Sequence, residues 1–201
     1  GAGAAKTQPP LGEVWAAVDR YIAAYLEQKR GVTLPNFCRI GWQTSTQMQG
    51  PGKPACRPFF HLADGFCRAH GIAAPKGAGP TTSELCPLED FNFSKAAIRF
   101  SQMLTKDYVS SGLRALVQQL GEVVSQKRSV SIEFSFGKLI SEDGNVRMSF
   151  APGLFTEHGL EVPAATPAGD AEESGQRKPP QATFATLNKE ALESLSLTGT
   201  G

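Results

Sequence analysis

Apolar residues at Val14, Val18, Tyr21, Ile22 and Tyr25 recur at three- and four-residue spacing, with Trp15 and Leu26 on the flanks. That period predicts a helix from Leu11 to about Lys29, with Gly31 as its stop. Val32-Thr33-Leu34 then alternates like a strand, and Pro35 marks an edge or a bend. Phe37, Ile40 and Trp42 continue on a second strand. Residues 44–58 (TSTQMQGPGKPACRP) are polar and broken by Gly and Pro, which suits a protruding hairpin arm. Phe59-Phe60 read as a short strand and His61 to His70 as a modest helix stopped by Gly71. Residues 72–86 have the composition of a linker.

The pattern then restarts. Phe91 and Phe93 alternate around Asn92 as a short strand, Ser94 offers an N-cap, and Ala97, Ile98 and Leu104 suggest a helix. Thr105 offers a cap for a longer helix carrying Val109, Leu113, Leu116, Leu120 and Val123. Gly112 and Gly121 weaken that helix by roughly 1 kcal/mol each unless close packing uses them. Val130, Ile132, Phe134 and Phe136 alternate strictly with polar residues, a half-buried strand. Asp143-Gly144 signals a hairpin, with Val146, Met148 and Phe150 on the return strand. After Phe155 the pattern fades into a linker-like tail, with a possible short helix at 186–197 whose apolar face is thin. Such a piece is expected to dock on a partner.

The two halves also share letters. Gln28-Lys29-Arg30-Gly31-Val32-Thr33-Leu34 recurs as Gln126-Lys127-Arg128-Ser129-Val130-Ser131-Ile132. Each copy sits where a long amphipathic helix gives way to alternating strands. The expectation is two related α+β modules, at 11–71 and 87–155, with a flexible segment 1–10 before them and an extended tail 156–201 after. The Lys-Arg pairs are placed in the last turns of their helices, opposite the negative end of the helix dipole.

Composition narrows the function. Hydrophobic residues make up 40% of the chain, enough for real cores, and the formal charge is +1. Seven Lys/Arg against three Asp/Glu fall in residues 1–60, but they are scattered. A nucleic-acid binder usually carries a basic stripe, so nucleic acid is not expected as a partner. No apolar run reaches the ~20 residues of a membrane span. The start, GAGAAKTQPP, reads as that of a fragment or processed product. Cys38, Cys56, Cys67 and Cys86 form no Cys-x-x-Cys pair, so no metal is expected, and the thiols are read as reduced and mostly buried. Cys67 beside Arg68, and His61 with Asp64, read as structural. No catalytic constellation and no cofactor motif emerges.

The ordered segments VWAAVDRYIAAYLEQKRGVTLPNFCRIGW, RPFFHLADGFCRAHG, PLEDFNFS, SQKRSVSIEFSFGKLIS and NVRMSF resemble the HU/IHF fold. They are more similar to the tandem HU-like domains of the coiled-coil domain-containing protein 81 family than to bacterial HU. The resemblance covers about residues 11–155. It departs at Pro35-Asn36-Phe37-Cys38, where the family's turn glycines are missing. The first module lacks the short leading helix of bacterial HU, and the second ends at Phe150–Phe155 without an obvious closing helix. The resemblance implies a non-enzymatic structural module of a ciliary axoneme, centriole or basal body, held among other proteins of a large complex. Gln47, Lys53 and Arg57 on the arm are the candidate partner contacts. The two modules could also pair with each other, as HU subunits do. The rival reading is an HU-type architectural DNA binder, but an arm with only Lys53 and Arg57 neutralises too few phosphates.

Overall fold

The computed structural model describes residues 10–48, 54–74, 84–163 and 181–197. The flexible segment expected at 1–10 lies outside them except for Pro10, as do the middle of the linker and residues 164–180 of the tail.

Helix α1 (Leu11–Glu27) buries Val14, Trp15, Val18, Tyr21, Ile22, Tyr25 and Leu26, the stripe its spacing predicts. It leads into β1 (Gly31–Leu34), β2 (Cys38–Met48) and β3 (Pro54–Leu62), then α2 (Asp64–His70). Pro35 stands in the β1–β2 turn, so the bend was the right alternative. The second half runs β4 (Leu88–Asp90), α3 (Phe93–Phe100), α4 (Lys106–Ser125), β5 (Val130–Phe134), β6 (Gly137–Glu142), β7 (Asn145–Phe150) and α5 (Pro152–Glu157). A last helix, α6, spans Phe184–Leu197. Thr105 caps α4 as expected, its Oγ1 accepting from Tyr108 N at 3.2 Å. Asp143 and Gly144, at φ 49° and 81°, make the two-residue turn between β6 and β7.

Several local expectations are corrected. The stop after α1 is Lys29, left-handed at φ 53°, and after α4 it is Lys127 at φ 57°. Arg30 N donates to Tyr25 O at 2.9 Å, and Arg128 N to Val123 O at 3.3 Å, the six-to-one bond that closes a helix. The Lys-Arg pairs therefore lie past their helices rather than in the last turns. Gly31 serves β1 instead: a Cβ there would stand 2.8 Å from the Ile40 carbonyl and 2.9 Å from Gly41 Cα. His61 belongs to β3, opposite Arg39, and the following helix starts only at Asp64. Phe93 opens α3 rather than continuing a strand, and Asn92, not Ser94, caps it by accepting from Lys95 N at 2.8 Å. The second half does have a closing helix, α5.

The sheets are β3-β2-β1-β4 and β5-β6-β7. Strand β4 comes from the second half but lies parallel to β1, with Val32 opposite Glu89. At the matching edge of the other sheet, Ala182 lies parallel to Val130: Ser131 N donates to Ala182 O at 2.9 Å and Ala182 N to Ser129 O at 2.8 Å. So each first strand is covered by a segment that leads into a helix, α3 in one case and α6 in the other.

The long helices α1 and α4 pack together, and one continuous core runs through both halves. Gly112 and Gly121 explain themselves here. A Cβ on Gly112 would meet Val14 Cγ2 at 2.9 Å, and one on Gly121 would collide with the His70 ring on α2. Val14 and Gly112 stand as far apart in the chain as Gln28 and Gln126, so equivalent positions of the two copies touch each other. That is the signature of a two-fold axis between them.

Candidate partner-binding surface

The duplicated Gln-Lys-Arg now has a structural role. Arg30 forms an ion pair with Glu89 at the head of the segment covering β1. Arg128 donates to Glu190 on α6 at 2.9 Å, and Gln119 donates to the same carboxylate at 2.7 Å. Leu187 and Ala191 seat α6 in the core against α4. The helix expected to dock on a partner is docked on its own chain. Around Glu89, Tyr25 donates to its carboxylate at 2.8 Å and Lys95 donates to Tyr25 Oη at 2.8 Å. Tyr21 accepts from Asn92 N at 3.2 Å, and its hydroxyl pKa is raised, chiefly by burial and then by the bond to Tyr25. Asp19 on α1 accepts from Ser135 N at 3.0 Å and from its Oγ at 2.9 Å, tying α1 to the β5–β6 turn.

The arm is the β2–β3 hairpin, irregular in register between Ser45 and Met48. Gln47 falls on β2, with its side chain outside the described part, and Lys53 lies outside the described residues. Arg57 is exposed on β3, opposite Gln43. Of the three predicted contacts, only Arg57 can be placed at a surface feature. It borders a groove of about 810 Å³ where β3 of one sheet faces β7 of the other. Phe59, Phe60, Val146, Met148 and Phe150 supply its apolar lining, and Arg57 and Arg147 its charged lining. No Asp or Glu lines this groove. Arg147 and the β7 lining were missed because a contact surface shared by two strands far apart in sequence leaves no local pattern.

The sulfur chemistry is muted. Burial pushes the Cys38 thiol far up, burial and then Asp64 raise Cys67, and burial and then Cys56 raise Cys86. A raised pKa withholds the thiolate that a nucleophile needs. All four cysteines are free, and among the described residues no group of His, Cys, Asp and Glu could hold a metal ion. No described helix is long and apolar enough to cross a membrane.

Two copies of helix, antiparallel hairpin sheet and closing helix, related about touching long helices, define a tandem HU-like α+β protein. Residues 5–74 match the description CCDC81 eukaryotic HU domain 1, and residues 87–157 match CCDC81 eukaryotic HU domain 2. The chain belongs to the CCDC81 HU-domain family. No curated protein matches it. Both matches run past the predicted module ends, and the second takes in α5. A second repeat could have revealed that helix: His70-Gly71-Ile72 after α2 recurs as His158-Gly159-Leu160 after α5, with Gly71 and Gly159 both left-handed.

Proposed function

We propose that the chain is a non-enzymatic scaffold module of a ciliary axoneme or of a centriole or basal body. It holds protein partners in the groove between β3 and β7 and along the adjoining arm. Its two modules pair within the chain as the two subunits of an HU dimer pair across an interface. The observation that carries this reading is the apolar lining of the groove. HU-type DNA binding needs a surface that neutralises many phosphates, whereas this one is lined by Phe59, Val146, Met148 and Phe150 with two arginines among them. An apolar lining with a few cations suits a protein surface. Membership of the family supports the cellular setting, because the related coiled-coil domain-containing protein 81 is a centrosomal and ciliary protein.

A second reading keeps one observation in its favour: Arg57 and Arg147 share a groove without any carboxylate, as a weak contact to a nucleic-acid backbone would require. Fractionation separates the two. Cilia stripped with detergent and washed with high salt should retain the protein on the axoneme. Loss from axonemes and basal bodies, with recovery in a nuclear or nucleoid fraction, would overturn the scaffold reading.

A further inference from the structure

The two halves differ at one corresponding place. Beside α1, the indole of Trp15 fills the space between the β5 end and the first residue of α6. Its ring centroid lies 5.0 Å from Phe134 and 5.6 Å from Phe184, nearly parallel to the latter. The matching position on α4, equally far ahead of Gln-Lys-Arg, is Leu113, and the matching first residue of the covering helix is Phe93. No indole is present there, and a cavity of about 410 Å³ opens between α2, α4, Phe93 and the β1–β2 turn. Phe66, Phe93, Leu113 and Val117 supply its apolar wall, while His70 and Arg114 stand at its polar side. No Asp or Glu lines it. Arg114 is exposed and forms no ion pair among the described residues.

We propose that this cavity receives an aromatic side chain, of indole size, from an acidic segment of a partner protein. The other half of the molecule shows what fits such a corner: an aromatic ring laid against a helix-opening phenylalanine. The unopposed guanidinium of Arg114 selects the sign of the flanking charge, since a carboxylate near it gains and a cation loses. Aromatic anchors in a formed pocket commonly dominate a protein interface. The proposal rests on the scaffold reading in taking the partner to be a protein, and it names the anchor by which that partner is held.

The test uses the purified chain and two small probes, indole-3-acetate and tryptamine, followed by NMR of the Leu113 and Val117 methyl groups. Indole-3-acetate should give saturable shifts with a dissociation constant of about 1 mM, ordinary for a fragment of its size. Tryptamine should bind several-fold more weakly. Arg114→Glu, a surface change, should reverse that preference, and Leu113→Trp should lay its own indole in the corner beside Phe93, take the probe's place and abolish the shifts of the Val117 methyl groups. Absence of saturable shifts would overturn the proposal, as would shifts that persist in Leu113→Trp. Should Leu113→Trp fail to fold, the charge reversal decides: equal binding of both probes to the wild type and to Arg114→Glu overturns it. Retention on the axoneme is read independently, so failure of the pocket and failure of the scaffold reading are told apart.

Discussion

Lys29 and Lys127 hold the left-handed conformation that a glycine would adopt without steric conflict, at φ 53° and 57°. An L-residue pays roughly 1–2 kcal/mol there, offset in part because glycine loses more chain entropy on folding. Lys127→Gly should therefore stabilise the chain by about 0.5–1 kcal/mol; denaturant midpoints measure it, and a loss of stability would contradict the assignment. The neighbouring arginines are not interchangeable in effect. The Arg30–Glu89 pair is well exposed, and such pairs contribute about 0–1 kcal/mol. Each glutamate accepts two donors, Glu89 from Arg30 and Tyr25 and Glu190 from Arg128 and Gln119, and Glu190 is the more buried of the two, so Glu190→Ala should cost about 1–3 kcal/mol and Glu89→Ala somewhat less. The repeat itself was legible as letters. Its roles were not, because a left-handed lysine has no propensity signature and the glutamates that answer each arginine lie far off in the chain.

At the scale of elements, the contact of α1 with α4 turns on Val14 against Gly112. Gly112→Val alone should overpack the crossing and cost about 1–3 kcal/mol. Val14→Gly alone should leave a cavity and weaken α1, costing about 2–4 kcal/mol. The double exchange keeps one glycine and one valine at the crossing, and the helix-propensity terms cancel. Its loss should fall short of the sum of the single losses by at least 1 kcal/mol, read from a double-mutant cycle. Simple additivity would place the two residues apart. Helix α6 makes a second case. A chain ending at Pro180 forfeits the burial of Leu187, about 2 kcal/mol, and bares the β5 edge. It should melt lower and self-associate with rising concentration in sedimentation experiments. The long, periodic helices and the alternating strands were readable from hydrophobic spacing. Helix α5 was not, since six residues (PGLFTE) give less than two turns of pattern, and β4 was misplaced because it is short and only partly buried.

Over the whole molecule, the repeat, the parallel edge segments and the glycine contacts make one account: two HU-like modules that complete each other. Trp42 on β2 illustrates it. Its indole donates to Leu26 O at 2.9 Å within the first half, while its ring meets His158, from the end of the second, at 4.7 Å. The candidate groove follows from the same arrangement, since β3 and β7 belong to different modules and face each other because the two modules pack together. Sequence reasoning found Arg57 on the arm but not the groove, whose two walls no local window spans.

Native-state hydrogen exchange after Leu139→Ala tests that mutual dependence most directly. Leu139 is fully buried on β6, in the second module. Its truncation should cost about 2–4 kcal/mol, or roughly 30- to 1,000-fold in exchange governed by global unfolding. The account predicts that β1 and β2 amides of the first module lose protection by the same factor as those of β5 and β6. Wild-type protection in β1 and β2, with loss confined to β5 and β6, would show two independent modules and contradict it.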